Sequence, residues 1–317
     1  MVLKAYNTHY AATDDISPNN NLLETLLSDV KLEFNQKQIS DSLSMYHYRA
    51  YLEDFFILTT QQRIHTKPLH SGSKTKLASM MMTRMREGGK IKDLAGKVHC
   101  DLFITSKFII NEIDIRFLFV KNKLEVCLMK VPNADPPCVS IVDATLWIRK
   151  FRINPGILIA HIKSFNVHTA KYPFKSDEMH NYTIPMGSKH HTVENMFLGK
   201  IPCLVIIGTV SHSAFSGSFS KNPYNFQHFN ETIKLTMDCV SMEDWQNGNC
   251  LYPIDLTPEL SANEQHWCIQ QQGNIRLEIG TKTTLGEAVM LIVYAEFREV
   301  LEIEKNRNIS IEMARGL

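Results

Sequence analysis

Val30-Lys-Leu-Glu-Phe34 and Ile233-Lys-Leu-Thr-Met237 read as one strand written twice. In each, apolar side chains alternate with others and a lysine holds the second position. That period of two lays one face of a strand on a core. Ile113-Asp-Ile-Arg-Phe117 stands downstream of the first and Asn274-Ile-Arg-Leu-Glu278 downstream of the second. Each is followed by a further strand-like run, at 123–131 and at 289–300. The same order met twice predicts a duplicated β domain. The copies differ in completeness. About sixty residues of strand material, 170–229, precede the Ile233 strand, whereas only 29 polar, Asn-rich residues precede Val30. The first copy is therefore expected to lack its opening strands, and 238–249 reads as a clipped connection in the second.

Strand signals continue at 98–104, 139–153, 182–184, 204–210 and 288–300, each bounded by Gly, Pro, Asn or Asp. Two helices are predicted. Residues 46–58 place Tyr48, Tyr51, Leu52, Phe55 and Phe56 on one face. Residues 154–165 open with Asn154 as a cap and Pro155 at the first helical position. Ile157, Leu158, His161, Ile162 and Phe165 then form an apolar stripe, which makes His161 an expected core histidine. Many short strands without strand–helix alternation predict an all-β sandwich or barrel, mainly β with a few short helices.

The chain has 317 residues, 44% hydrophobic and 21% charged, with a formal net charge of +1. That balance excludes a generally basic nucleic-acid wrapper. No apolar run reaches the roughly 20 residues of a membrane span. The polar N-terminus does not read as a secretory signal. Seven cysteines without a CxxC pair are expected to be reduced and mostly buried.

No sequence motif for catalysis, phosphate binding or dinucleotide binding occurs, so no catalytic residue, cofactor site or metal site is assigned. Lys189-His190-His191 with His180 lacks a carboxylate or Cys at ligand spacing and reads as a polar loop. Glu53-Asp54 and Glu243-Asp244 are sequence neighbours, which aims the two carboxylates of each pair at different faces of any regular element. One segment is distinct in charge. Arg63, Lys67, Lys74, Lys76, Arg84, Arg86, Lys90 and Lys92 face Glu87 alone, a local +7. Such a patch suits phosphates, but it has no aromatic interleaving for base stacking. Asn222, Pro223, Tyr224, Asn225, Phe226 and Phe229 read as a structural motif: a restricted backbone followed by rings that pack a loop onto the second domain.

Several strings also resemble a known family. They begin with Asn21-Leu22-Leu23 through Val30-Lys-Leu-Glu-Phe34 and Tyr48-Arg49-Ala50-Tyr51-Leu52-Glu53. They continue with Asp93-Leu-Ala-Gly96, His99-Cys-Asp-Leu-Phe103 and Asp143-Ala-Thr-Leu-Trp-Ile-Arg-Lys150. Asn222-Pro-Tyr-Asn-Phe226, Asp255-Leu-Thr-Pro258, Gln272-Gly-Asn-Ile-Arg-Leu277 and Val293-Tyr-Ala-Glu-Phe297 complete the series. In this order the chain resembles the major capsid protein of Polinton/Maverick elements and adintoviruses, over about residues 19–309.

The resemblance implies two tandem jelly rolls, a double jelly roll. The expected division is 1–153 for an incomplete first roll, 154–165 for a connecting helix and 166–317 for the second roll. It implies a structural protein of the virion, intracellular in the host cell, with no catalytic residue. Homotrimers would form capsomers that tile an icosahedral shell around double-stranded DNA. The expected partners are other copies of the chain, a minor capsid protein, and DNA through weak non-specific contact. The chain departs from the family pattern in its short N-terminal arm and in residues 241–248, where a long loop is usual. These departures leave open a host-retained or eroded endogenous copy acting as a binding module, with Trp147, Trp245 and Trp267 in one groove. A metal-dependent cupin-like enzyme would instead require His180, His190 and His191 to converge on a carboxylate.

Overall fold

The structure, a computed structural model, describes residues 2–6, 16–57, 93–104, 107–130, 139–141, 143–229, 231–232, 250–260, 262 and 272–313. The strands before the central helix are β1 Val2–Tyr6, β2 Ile16–Pro18, β3 Leu27–Phe34, β4 Lys37–Ser40, β5 Asp93–Lys97, β6 Ile115–Lys121, β7 Leu128–Lys130 and β8 Asp143–Trp147. Those after it are β9 Ala170–Ile184, β10 His190–Val193, β11 Leu204–Ser211, β12 Glu231–Thr232, β13 Leu251–Asp255, β14 Leu277–Thr281, β15 Val289–Ile303 and β16 Ile309–Met313. The helices are α1 Leu22–Thr25, α2 Tyr46–Ile57, α3 Leu124–Cys127, α4 Pro155–Phe165 and α5 His212–Ser216. Asp101–Ile104 forms a 3-10 turn.

All described strand pairings are antiparallel. Each sheet draws its strands from one side of α4. Before it lie β5-β1-β8, β4-β3-β6 and β2-β7. After it lie β10-β14-β12 and the sheet β13-β11-β15-β16, to which β9 adds along β15.

β15 explains why its sequence is a continuous apolar run. Val289, Leu291, Val293, Ala295 and Phe297 point into one core, with Ile184, Val205 and Ile279. Met290, Ile292 and Tyr294 point the other way, against Tyr48, Tyr51 and Leu52 of α2. A strand covered on both faces loses its polar alternation. Further on, Leu301 and Ile303 join a third core with Val30, Leu32 and Phe34 of β3. The long pair β9–β15 thus runs from the core of the second half into that of the first.

Four expectations change. The shortfall of strands in the first half is not found among the described residues: eight strands lie on each side of α4. Two of them, β1 and β2, come from the polar N-terminal segment. β1 is paired on both edges, by β5 and β8, so distant backbone partners hold a segment whose composition gives no local signal. Helix α2 is not buried on one face only; Tyr46 to Glu53 are buried all round. Helix α4 forms where expected, with the Asn154 side chain accepting the Gly156 N–H at 3.0 Å. None of its residues is buried, however, and His161 is exposed rather than in a core. The Ile233 strand, the basic segment 61–92 and 241–248 lie outside the described residues.

Candidate functional site

Burying α2 all round forces its charged residues to find partners inside the protein, because a lone buried ion is too costly to keep. Arg49 donates from Nε to Glu53 one turn along, at 2.7 Å. Its Nη1 donates to Ser40 Oγ at 3.2 Å. Its Nη2 reaches Asp101 of the 3-10 turn and, at 2.9 Å, Asp177 of β9. The guanidinium therefore ties α2 to the segment after β5 and to the second half's longest sheet. Burial pushes Asp177 well above the usual carboxylate range, against the pull of Arg49. Burial also opposes ionisation of Glu53, yet the Arg49 charge and the His99 hydrogen bond hold it below its ordinary value.

Glu53 passes the chain of contacts to His99. The His99 ring Nδ1 is 2.5 Å from Glu53 Oε2, and the His99 N–H donates to Tyr46 Oη at 3.1 Å. The other ring nitrogen, Nε2, is 3.4 Å from Asp54 Oδ1. Burial would lower the His99 pKa, but the hydrogen bonds and charges of Asp54 and Glu53 raise it to about 9. Glu53 and Asp54, neighbours in sequence, meet the two ring nitrogens of one histidine. The two carboxylates leave the helix in different directions, and one imidazole spans them because its two nitrogens face opposite ways. Glu24 of α1 closes the group: one ligand atom each from Glu24, Asp54 and His99 lie within 4.8 Å of one another. Burial raises Glu24 to about 7. Gly96 makes room for this carboxylate, since a Cβ there would stand 2.5 Å from Leu23 Cδ2 and 3.0 Å from Glu24 Oε1.

Sequence reasoning assigned no role to these residues. The signal was present as Arg49 and Glu53, four apart in a helix that is otherwise aromatic and apolar apart from His47 and Asp54. Arg49, Glu53, His99 and Asp101 also all fall within the strings that carry the family resemblance.

The Asn222–Phe226 motif lies across the opposite face of α2. Tyr224 and Phe226 are fully buried, Asn222 and Pro223 are buried, and Phe229 is half-buried against the second-half core. Asn222 Oδ1 accepts the Tyr224 N–H at 2.8 Å, which fixes the turn. Tyr51 stacks on Tyr224 at 4.8 Å, Tyr48 Oη donates to the Pro223 carbonyl at 3.1 Å, and the Tyr224 hydroxyl meets Thr25 Oγ1 at 2.5 Å. His47 packs edge-on to Tyr48 at 4.2 Å, and burial lowers its pKa to about 3. Above pH 6.5 His47 is neutral both folded and unfolded. As the pH falls below 6.5 the unfolded chain binds a proton that the folded one refuses, so stability is lost. From pH 6.5 to 5 that loss is about 2 kcal/mol. The difference in urea-unfolding free energy between wild type and His47→Phe should change by that amount over the interval. A constant difference would refute the burial argument.

The other sequence candidates do not assemble. His180 contacts Glu178 at 3.4 Å, while His190 and His191 pair through β10 with β14; among the described residues the three form no ligand group. Trp147 is exposed, while Trp245 and Trp267 lie outside the described residues. Cys100, Cys127, Cys203 and Cys250 are buried and form no disulfide. No described helix is long and apolar enough to cross a membrane.

The arrangement of sheets around α2 has counterparts among solved structures. The chain is similar over its whole length to a protein of the PBCV-1 virus capsid, covering 89% of that chain at 12% identity with a TM-score of 0.55. It is similar to a protein of the Sputnik virophage structure over 81% of that chain, at 10% identity and a TM-score of 0.54. The fold is a double jelly roll. In sequence, the chain is 21% identical to an uncharacterized Caenorhabditis elegans protein over 92% of its own length and 81% of that protein's. No family model matches the chain. Within the double jelly roll, two clamps hold α2: Arg49 ties it to β4 and β9, and the Asn222–Phe226 motif ties α1 and α2 to the strands that follow α4.

Proposed function

We propose that the chain is a capsid-type structural subunit that associates with copies of itself, as a homotrimeric capsomer of a Polinton/adintovirus-type double-stranded DNA element. The observation that supports this most is the full-length likeness to a protein of the PBCV-1 virus capsid. In this reading 1–153 and 166–317 are the two rolls and 154–165 joins them. The protein acts as building material of the virion and runs no reaction. A minor capsid protein and salt-sensitive DNA contact through Arg63, Lys67, Lys74, Lys76, Arg84, Arg86, Lys90 and Lys92 belong to the same proposal.

The exposed surface favours self-association. Around α4, Trp147, Ile148, Phe151, Ile159, Ile162 and Val167 are each more than half exposed. Phe108, also more than half exposed, stands edge-on to Phe151 at 4.2 Å. Monomeric proteins rarely leave so much apolar surface in water, and copies of one chain bury it by symmetric contact. In sedimentation velocity with negative-stain microscopy the wild type should form trimers. Ile159→Glu with Ile162→Glu should weaken association at least tenfold while leaving thermal unfolding unchanged, because neither residue is buried. A wild type that stays monomeric at high micromolar concentration would overturn the assembly reading.

A further inference from the structure

We infer that Glu24, Asp54 and His99 form a site for one divalent transition-metal ion, zinc in the first instance. Three observations carry it. First, the donors are of the right kind: one imidazole nitrogen and two carboxylates, a mixed set that zinc accepts. Their ligand atoms already lie within 4.8 Å of one another, on three different elements. Second, the spacing fits. Two ligands about 2.0–2.1 Å from a tetrahedral ion stand about 3.3–3.4 Å apart. His99 Nε2 and Asp54 Oδ1 are 3.4 Å apart, the separation that two such ligands would have.

Third, the histidine is oriented from behind. Its ring is 97% buried, and its Nδ1 faces the Glu53 carboxylate at 2.5 Å. Arg49 holds the other oxygen of Glu53 at 2.7 Å, so Glu53 is a carboxylate acceptor and Nδ1 carries the hydrogen. Nε2 is then the nitrogen turned to Asp54 and Glu24, and a metal ion bound there would displace the proton that this nitrogen carries at neutral pH. A histidine aligned by a carboxylate on its far nitrogen is how metal-ligating imidazoles are commonly fixed. Glu53 would serve as that positioning residue, and Arg49 would keep it in place. The bare Cα of Gly96 leaves the Glu24 carboxylate space to swing toward the ion. Asp54 is about one-fifth exposed, so the group is not wholly closed to solvent.

The inferred ion would staple α1, α2 and the segment after β5 inside the first half. It does not depend on the capsid reading, and its test uses no assembly readout. The purified chain, without a polyhistidine tag and dialysed against EDTA, is titrated with zinc chloride by calorimetry. Cobalt(II) absorption reports the coordination geometry. Wild type should bind one zinc at micromolar or better affinity, melt at a higher temperature with zinc than without, and give a tetrahedral cobalt spectrum. Magnesium should do none of these. Glu24→Gln and Asp54→Asn, near-isosteric variants whose folding is checked by circular dichroism, should each weaken zinc at least tenfold. His190→Gln with His191→Gln should not. No binding below millimolar zinc, or equal binding by wild type and both carboxylate variants, would overturn the inference.

Discussion

Arg49→Met should cost about 3–5 kcal/mol of unfolding free energy, the expected penalty for breaking a buried ion cluster by removing one partner. Methionine keeps much of the volume and apolar length, so the loss is electrostatic. Glu53, Asp101 and Asp177 would face one another in the interior without the guanidinium that now meets all three. Each would have to protonate or draw in water, and either response weakens the join between α2 and β9. Arg49→Lys should recover only part of the loss, because an ammonium cannot reproduce the planar fork that meets three carboxylates and Ser40 at once. Adding Asp177→Asn to Arg49→Met should restore stability relative to the single variant, since it removes the charge that burial strains most. Urea denaturation of the four proteins checks the series. A loss under 1 kcal/mol for Arg49→Met would mean that water or local opening solvates the carboxylates.

Phe226→Ala should cost about 3–5 kcal/mol, the range for a large ring removed from a core that cannot collapse. The ring is wholly buried and packs against Tyr51 at 5.8 Å and Tyr48 at 6.2 Å. Collapse is resisted because the backbone is pinned on both sides. The Cys250 N–H donates to the Phe226 carbonyl at 3.1 Å, and the Gln227 N–H donates to the Thr209 carbonyl at 3.0 Å. Gly208 shows how closely the ring sits, since a Cβ there would come within 2.5 Å of Phe226 Cδ1. Phe226→Leu should lose clearly less, because it fills part of the space. Equal losses for Ala and Leu in thermal and urea unfolding would point to a role for the aromatic face beyond its volume.

Much of the fold was legible because strand patterning is local. The alternation of Val30, Leu32 and Phe34 marks β3, and the apolar run from Val289 marks β15. Asn154 and Pro155 mark the start of α4. The Asn222–Phe226 rings read as packing groups from their spacing alone. The boundaries were less legible. Residues 123–131 read as one strand but hold α3 and then β7, and 139–153 shortens to β8. In these stretches tertiary pairing outweighs propensity.

The charged cluster was not legible. A sequence states that Arg49, His99 and Asp177 are ionisable; it does not state that they are buried together. Arg49 and Asp177 are 128 positions apart and meet only because β9 passes over α2. The reverse holds at α4, where the stripe Ile157, Leu158, Ile162 carries every mark of a core face yet is not covered by the chain's own packing. Composition and periodicity fix which side of an element is apolar, since both are properties of neighbouring residues. Which apolar side meets another surface, and which charges are sealed in with their partners, depends on contacts between distant parts of the chain. The amino-acid order thus determined the β character and the starts of α2 and α4, while packing alone decided that α2 would hold a buried ion cluster and α4 would not.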